Sequence, residues 1–207
     1  MNIDLLNIGF ESDIDDEVLN ELKESLSSFG NDVEFHEMPP QGVQASIVLH
    51  GISAIAIVFG GAFVKKLGDK AAEDCYPFLK RGLANVYKKY FGESPEIEKV
   101  IVVGKNSKHK VPETRYSLVL SLYCSTVLNQ RVKFLYAKDW TQEEFDLATE
   151  KYIAEIALLV NGKDCEVNQL LLQQRAVAGQ YLIAWNEAND KFIAVNTLLI
   201  NTHITNI

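Results

Sequence analysis

The chain of 207 residues has little of what makes chemistry easy to read in a sequence. It holds three cysteines, Cys75, Cys124 and Cys165, widely spaced and without a CxxC pair. That spacing excludes a cysteine finger and fits free thiols in a reducing compartment better than a disulfide framework. Its four histidines, His36, His50, His109 and His203, stand in no HxxxH or HExxH relation, so no metal site is expected. No GxxxxGK[ST] or GxGxxG loop is present to cradle a phosphate, and Gly60-Gly61 and Gly68-Asp69-Lys70 fit neither pattern. A GxSxG nucleophile elbow is also missing, and Ser53, among apolar neighbours, reads as a satisfied core hydroxyl. These absences predict no cofactor. The start, Met1 to Asn7, has no basic n-region, so no secretory signal is expected and a cytoplasmic location is.

Basic residues are scarce in one place. Residues 1–40 hold eleven acids and a single base, Lys23, for a net −10, while the whole chain is −8. Residues 65–115 run the other way, with twelve bases and seven acids. A strongly acidic end without an acid-using motif points to electrostatic partnering. Within it, Asp16, Glu17, Glu21 and Glu24 lie opposite the apolar stripe of their helix. Solvated there, they are poor general acids, which need desolvation, and are candidate contacts for a basic partner. If the basic 65–115 segment faces them, that surface is neutralised within the chain. The overall charge and a pI near 5.1 argue against nucleic acid or an anionic membrane as partner. The loop carrying Lys105, Lys108, His109 and Lys110 is a weak candidate anion site or simply a polar hairpin tip.

Hydrophobic residues make up 47% of the chain, enough for a full core at this length. Asn2–Phe10 alternates as a strand, and Asp13 is expected to cap a helix from Ile14 to Phe29. Its stripe is Ile14, Val18, Leu22, Leu26 and Phe29, with Gly30 beyond its end. Asp32–Glu37 reads as a second strand. The apolar run Ala45–Val64 then has only Ser46, His50 and Ser53 as polar members. It is long enough to span a bilayer, but a crossing would separate strands that need one another. It is therefore read as a buried central helix, with room for a short strand at Ser46–Leu49 leading into it. Ala62–Phe91 is amphipathic, with Pro77 expected to kink or divide it.

Farther on, Glu98–Val103, Tyr116–Cys124 and Arg131–Ala137 are expected strands, forming a meander. On the second of them, Tyr116, Leu118, Leu120, Leu122 and Cys124 should share one side. Thr141 and Glu144 form a capping box, flanked by Trp140 and Phe145 at staple positions. A shorter helix is expected over Cys165–Ala176. Gln180–Asn186 and Lys191–Ile200 read as a hairpin, with Tyr181, Trp185 and Phe192 as cross-strand packing residues.

The expected fold is α+β: a mixed or antiparallel sheet with an N-terminal strand–helix–strand unit, a buried apolar helix and a C-terminal hairpin. A single domain over 1–207 is expected, with 92–98 as the place for any subdivision. The expected function is a non-enzymatic acidic protein that neutralises a basic protein, as a bacterial immunity protein neutralises a toxin. Two alternatives are a membrane-associated protein using 45–64, and an enzyme whose site combines distant residues such as Cys75, His50, His109 or the acidic helix.

Overall fold

In a computed structural model of the chain, residues 4–39, 53–97 and 114–195 are described. Seven strands form one mixed sheet in the order β2-β1-β3-β4-β5-β6-β7. They are β1 Leu6–Glu11, β2 Val33–Met38, β3 Ile55–Phe59, β4 Tyr116–Ser125, β5 Arg131–Ala137, β6 Gln180–Asn186 and β7 Lys191–Ala194. The helices are α1 Asp16–Leu26, α2 Gly61–Leu67, α3 Ala71–Tyr90, α4 Gln142–Val160 and α5 Glu166–Gln173. The architecture is α+β, opening with strand–helix–strand and closing with a hairpin. Parallel pairs β1/β2, β3/β4 and β5/β6 alternate with antiparallel pairs β1/β3, β4/β5 and β6/β7. The chain leaves one strand of each parallel pair and returns along the other after a helical connection, because a tight turn cannot join parallel neighbours.

One sheet face and the helices share the main core. Leu6, Ile8, Ile55, Ile57, Leu120, Leu122, Phe134 and Ile183 pack with Val18 and Leu22 of α1, Leu79 and Leu83 of α3, and Phe145 and Tyr152 of α4. An aromatic group sits where α3, α4 and β5 meet: Phe91, Phe145 and Tyr136 have ring centroids 4.8–6.1 Å apart. The capping box of α4 forms as expected, with Thr141 Oγ1 accepting from Glu144 N and Glu144 accepting from Thr141 N. Trp140 and Phe145 are both buried, each against the Tyr136 ring.

Four local expectations are corrected. The continuous helix over Ala45–Val64 is not formed: Ile55–Phe59 is β3, set between β1 and β4, and a helix follows only from Gly61. A central strand buried on both faces is apolar throughout and cannot be told from a buried helix by periodicity. The part before residue 53 lies outside the described residues. Among the described residues, no helix is long and apolar enough to cross a membrane. The α1 cap is Asp15, not Asp13, its Oδ1 accepting from Glu17 N and Val18 N at 3.0 and 3.3 Å. The amphipathic stretch divides at Gly68, whose φ of +70° suits glycine, while α3 continues through Pro77. Finally, a register shift between Tyr116 and Ser121 breaks the alternation of β4. Leu120, Leu122 and Cys124 join the main core, whereas Tyr116 and Leu118 pack against Leu135, Leu182 and Ala184 on the other face. The expected strand at Glu98–Val103 lies outside the described residues.

Candidate functional site

The acidic helix α1 lies beside α3, and the basic segment of the chain does reach it. Lys89 Nζ stands 3.2 Å from Glu17 and 3.8 Å from the capping Asp15, and it also meets Glu96 at 3.4 Å. The hydrogen bond to Glu17, with the other carboxylates around it, holds the Lys89 ammonium above its ordinary pKa. Lys66 of α2 pairs with Asp32 just before β2. Internal neutralisation therefore claims Asp15, Glu17 and Asp32. Asp16, Glu21 and Glu24 are exposed on the outer side of α1 and form no ion pair among the described residues. The dipole of α1 favours acids in its first turn, Asp16 and Glu17, but not Glu21 and Glu24, so these have no local structural task.

The seam beneath this face is built from α3. A Cβ on Gly82 would lie 2.3 Å from Ser25 Oγ and 2.8 Å from Leu22 Cδ1, so the helices touch closely there. One stripe of α3 carries Gly82, Asn85 and Lys89 at i, i+3 and i+7. Asn85 is only 7% exposed, and its Nδ2 has no hydrogen-bond partner among the described residues. An unsatisfied buried donor is uncommon and costs stability.

The second feature went unnoticed in the sequence. On the sheet face away from the main core, cross-strand neighbours Asn7, Val58, Tyr123, Lys133 and Leu182 form one row. Lys133 is fully buried, with Nζ 5.4 Å from the centroid of the Tyr123 ring. Burial lowers its pKa to about 7. Ser53 N donates to the Tyr123 hydroxyl at 3.1 Å, and Ser53 Oγ lies 2.7 Å from Ser121 Oγ, so Ser53 is the satisfied hydroxyl expected. Burial raises the Tyr123 phenol. A lysine inside the apolar alternation of β5 was the available signal; it reads on its own as an outward-facing residue, and only the register shows it buried.

The other candidates separate. Cys75 on α3 is buried and free, its thiol pushed up to about 12 by burial and then by Asp74, which suits an inert core residue. Cys124 and Cys165 are also buried and free. His36 Nε2 lies 3.1 Å from Asn7 Oδ1 and 3.2 Å from Glu34, within the sheet. His50, and the basic group Lys105, Lys108, His109 and Lys110, lie outside the described residues. Among the described residues no three metal-ligating side chains come together. Trp185 and Phe192 are direct cross-strand partners, and the Trp185 indole donates to Asp190 at 2.9 Å. Compared with family models, curated proteins and solved structures, the chain matches none.

Proposed function

We propose that this is a non-enzymatic, cytoplasmic binding protein that neutralises a basic protein partner, in the manner of an immunity protein acting on a toxin. The observation that carries it is the outer face of α1, where Asp16, Glu21 and Glu24 are exposed and without ion pairs among the described residues. Such a face raises the rate of encounter with a basic partner and repels acidic ones. It would also compete with nucleic acid for the phosphate-binding surface of a nuclease. The test is affinity capture from native cytosol at low and high salt, comparing the protein with a D16K/E21K/E24K variant. A stoichiometric basic protein, held by the wild type, released by salt and lost by the variant, supports the reading. Equal capture by both contradicts it.

A second reading, an enzyme, draws on Lys133. A lysine amine that is half neutral near pH 7, on a strand face with Tyr123, Ser53 and Ser121, has the properties of a general base or carbonyl-condensing amine. Reductive labelling at pH 7 with a small aldehyde and cyanoborohydride tests this. Modification of Lys133 ahead of the surface lysines favours the enzyme; an unmodified Lys133 removes it.

A further inference from the structure

The turn between β4 and β5, Thr126-Val-Leu-Asn-Gln130, carries no charge. Turn positions favour Asn, Asp, Ser and Gly, which bond their own backbone or accept a positive φ. Here Asn129 takes the positive φ, at 58°. The two places before it hold Val127 and Leu128, 59% and 76% exposed. The backbone fixes them there. Thr126 N donates to Gln130 O at 3.0 Å and Asn129 N to Thr126 O at 2.9 Å. The Thr126 hydroxyl accepts from Leu128 N and Gln130 N, each at 3.2 Å. The turn also rests on the end of α4, where a Cβ on Gly162 would lie 3.2 Å from Val127 Cγ1. A lone exposed leucine is ordinary, but two aliphatic side chains in succession on a fixed turn form an apolar point.

Strand direction sets the charge around that point. β3 and β4 run parallel, with Phe59 beside Cys124, so α2 leaves the sheet at the end where the turn lies and carries Lys65 in its last turn. Arg131 opens β5 at the foot of the turn, beside Gln180 of β6. Gln180 bridges to Val177, two residues after Arg175. Lys65, Arg131 and Arg175 are exposed and form no ion pair among the described residues. Acids at this end are offset: Asp32 pairs with Lys66, and Asp164 adjoins Lys163. β1 and β5 run the other way, so Asp16 and Glu17 after β1, and Glu143 and Glu144 after β5, collect at the far end. The ten residues of β4 span about 33 Å between the two ends. Screening acts over about 8 Å at physiological salt, so a surface touching the turn meets the basic end and not the net charge of −8.

We propose that this end of the sheet docks on an anionic lipid surface. Val127 and Leu128 enter the interface, and Lys65, Arg131 and Arg175 lie against the acidic headgroups. Apolar burial and attraction to anionic lipid together anchor a peripheral protein, and with two aliphatic side chains the anchorage is reversible. Nucleic acid would answer the cations but not the apolar point; a flat face that is apolar within and anionic outside answers both. This docking goes beyond the partner reading and does not depend on it, since it leaves the first turn of α1 facing away from the lipid.

Wild type, V127S/L128S and R131E/R175E are sedimented with vesicles of phosphatidylcholine alone and of phosphatidylcholine mixed with phosphatidylserine, at low and high salt. The wild type should sediment with the mixed vesicles, far less with phosphatidylcholine alone, and be released by salt. V127S/L128S should bind the mixed vesicles at least about ten-fold more weakly. R131E/R175E should lose about as much there and little on phosphatidylcholine. L128W gives a direct reading at an exposed position: Trp140 and Trp185 are buried, so a blue shift of its emission on mixed vesicles reports residue 128. Wild type that stays in the supernatant with mixed vesicles at low salt overturns the proposal, as does sedimentation unchanged in V127S/L128S. A blue shift of L128W in a membrane-free lysate, with none on vesicles, also overturns it and assigns the turn to a protein pocket. None of these failures touches the reading of Asp16, Glu21 and Glu24, which is tested by capture of a basic protein.

Discussion

Helix α3 meets its two neighbours with different chemistry. Against α4 it presents Tyr87, whose ring lies 5.4 Å from Phe145 and whose hydroxyl donates to Trp140 O at 3.2 Å. Lys80 on the same side pairs with Asp146 at 2.9 Å. Large apolar rings fill that seam, and the polar atoms named in it have partners. Against α1 it presents Gly82, Asn85 and Lys89: a close approach, an unsatisfied amide and a lysine shared among three carboxylates. The first seam is built for stability. The second gives up some stability, with a buried amide donor left without a partner among the described residues and charge at its edge, and it adjoins the helix whose outer face we propose meets the partner.

The contrast is sharpened most by emptying the aromatic seam. Phe145→Ala removes a fully buried ring that touches Tyr87, Phe91 and Tyr136 and should cost about 3–5 kcal/mol in urea unfolding. A cost under about 1 kcal/mol would mean that this seam is not the stable one.

The two faces of the sheet repeat the contrast, through Lys133. Its folded pKa near 7 lies below the ordinary 10.5. Below pH 7 the amine is charged in both states, and the cost of burying that charge is fully present. Between about pH 7 and 10.5 the unfolded chain binds the proton and the folded chain does not. Stability therefore rises with pH across that window, by up to about 1.4 kcal/mol per unit. Lys133→Met should be more favourable to stability at pH 6 than at pH 10, because only below the folded pKa does the wild type carry the cost of burying the charge. An equal effect of the substitution at pH 6 and pH 10 would show that the amine keeps its ordinary pKa.

Much of the frame was legible. The Thr141/Glu144 capping box, the stripe Val18–Leu22–Leu26 and the hairpin through Trp185 and Phe192 are local patterns, and local geometry produces them. The elements misread depended on neighbours far along the chain. Ile55–Phe59 is a strand because β1 and β4 flank it, not because of any period of its own. The faces of Tyr116 and Leu118 follow from a bulge set by pairing with β5. The acidic residues of the site were visible as a charge imbalance. Which of them Lys66 and Lys89 neutralise was not, since that depends on how α1, α2 and α3 pack. Asn85 and Lys133 were invisible for the same reason: their significance is burial, and burial is tertiary.

A smaller effect should appear at the close contact itself. Gly82→Ala gains about 1 kcal/mol of helix propensity but drives a methyl group into Ser25 Oγ and Leu22. Overpacking costs about 1–3 kcal/mol, so a net loss of about 1 kcal/mol is expected, partly recovered in G82A/S25A. A stabilised G82A would show that the seam is looser than described. The smallest effect belongs to the face proposed to bind. D16K/E21K/E24K should keep its stability within about 0.5 kcal/mol at Glu21 and Glu24, which have no structural task, and lose about 1 kcal/mol at Asp16, where the helix dipole favours an acid. A larger loss in chemical denaturation would give them a structural role.

The measurement that tests the central claim most directly is the association rate of the captured basic partner, followed by stopped flow from low to high ionic strength. For the wild type the rate should fall steeply with salt. The D16K/E21K/E24K variant should associate at least several-fold more slowly at low salt and show a flatter dependence. Equal rates and equal salt slopes for the two proteins would contradict the claim that the outer face of α1 is where the partner is met.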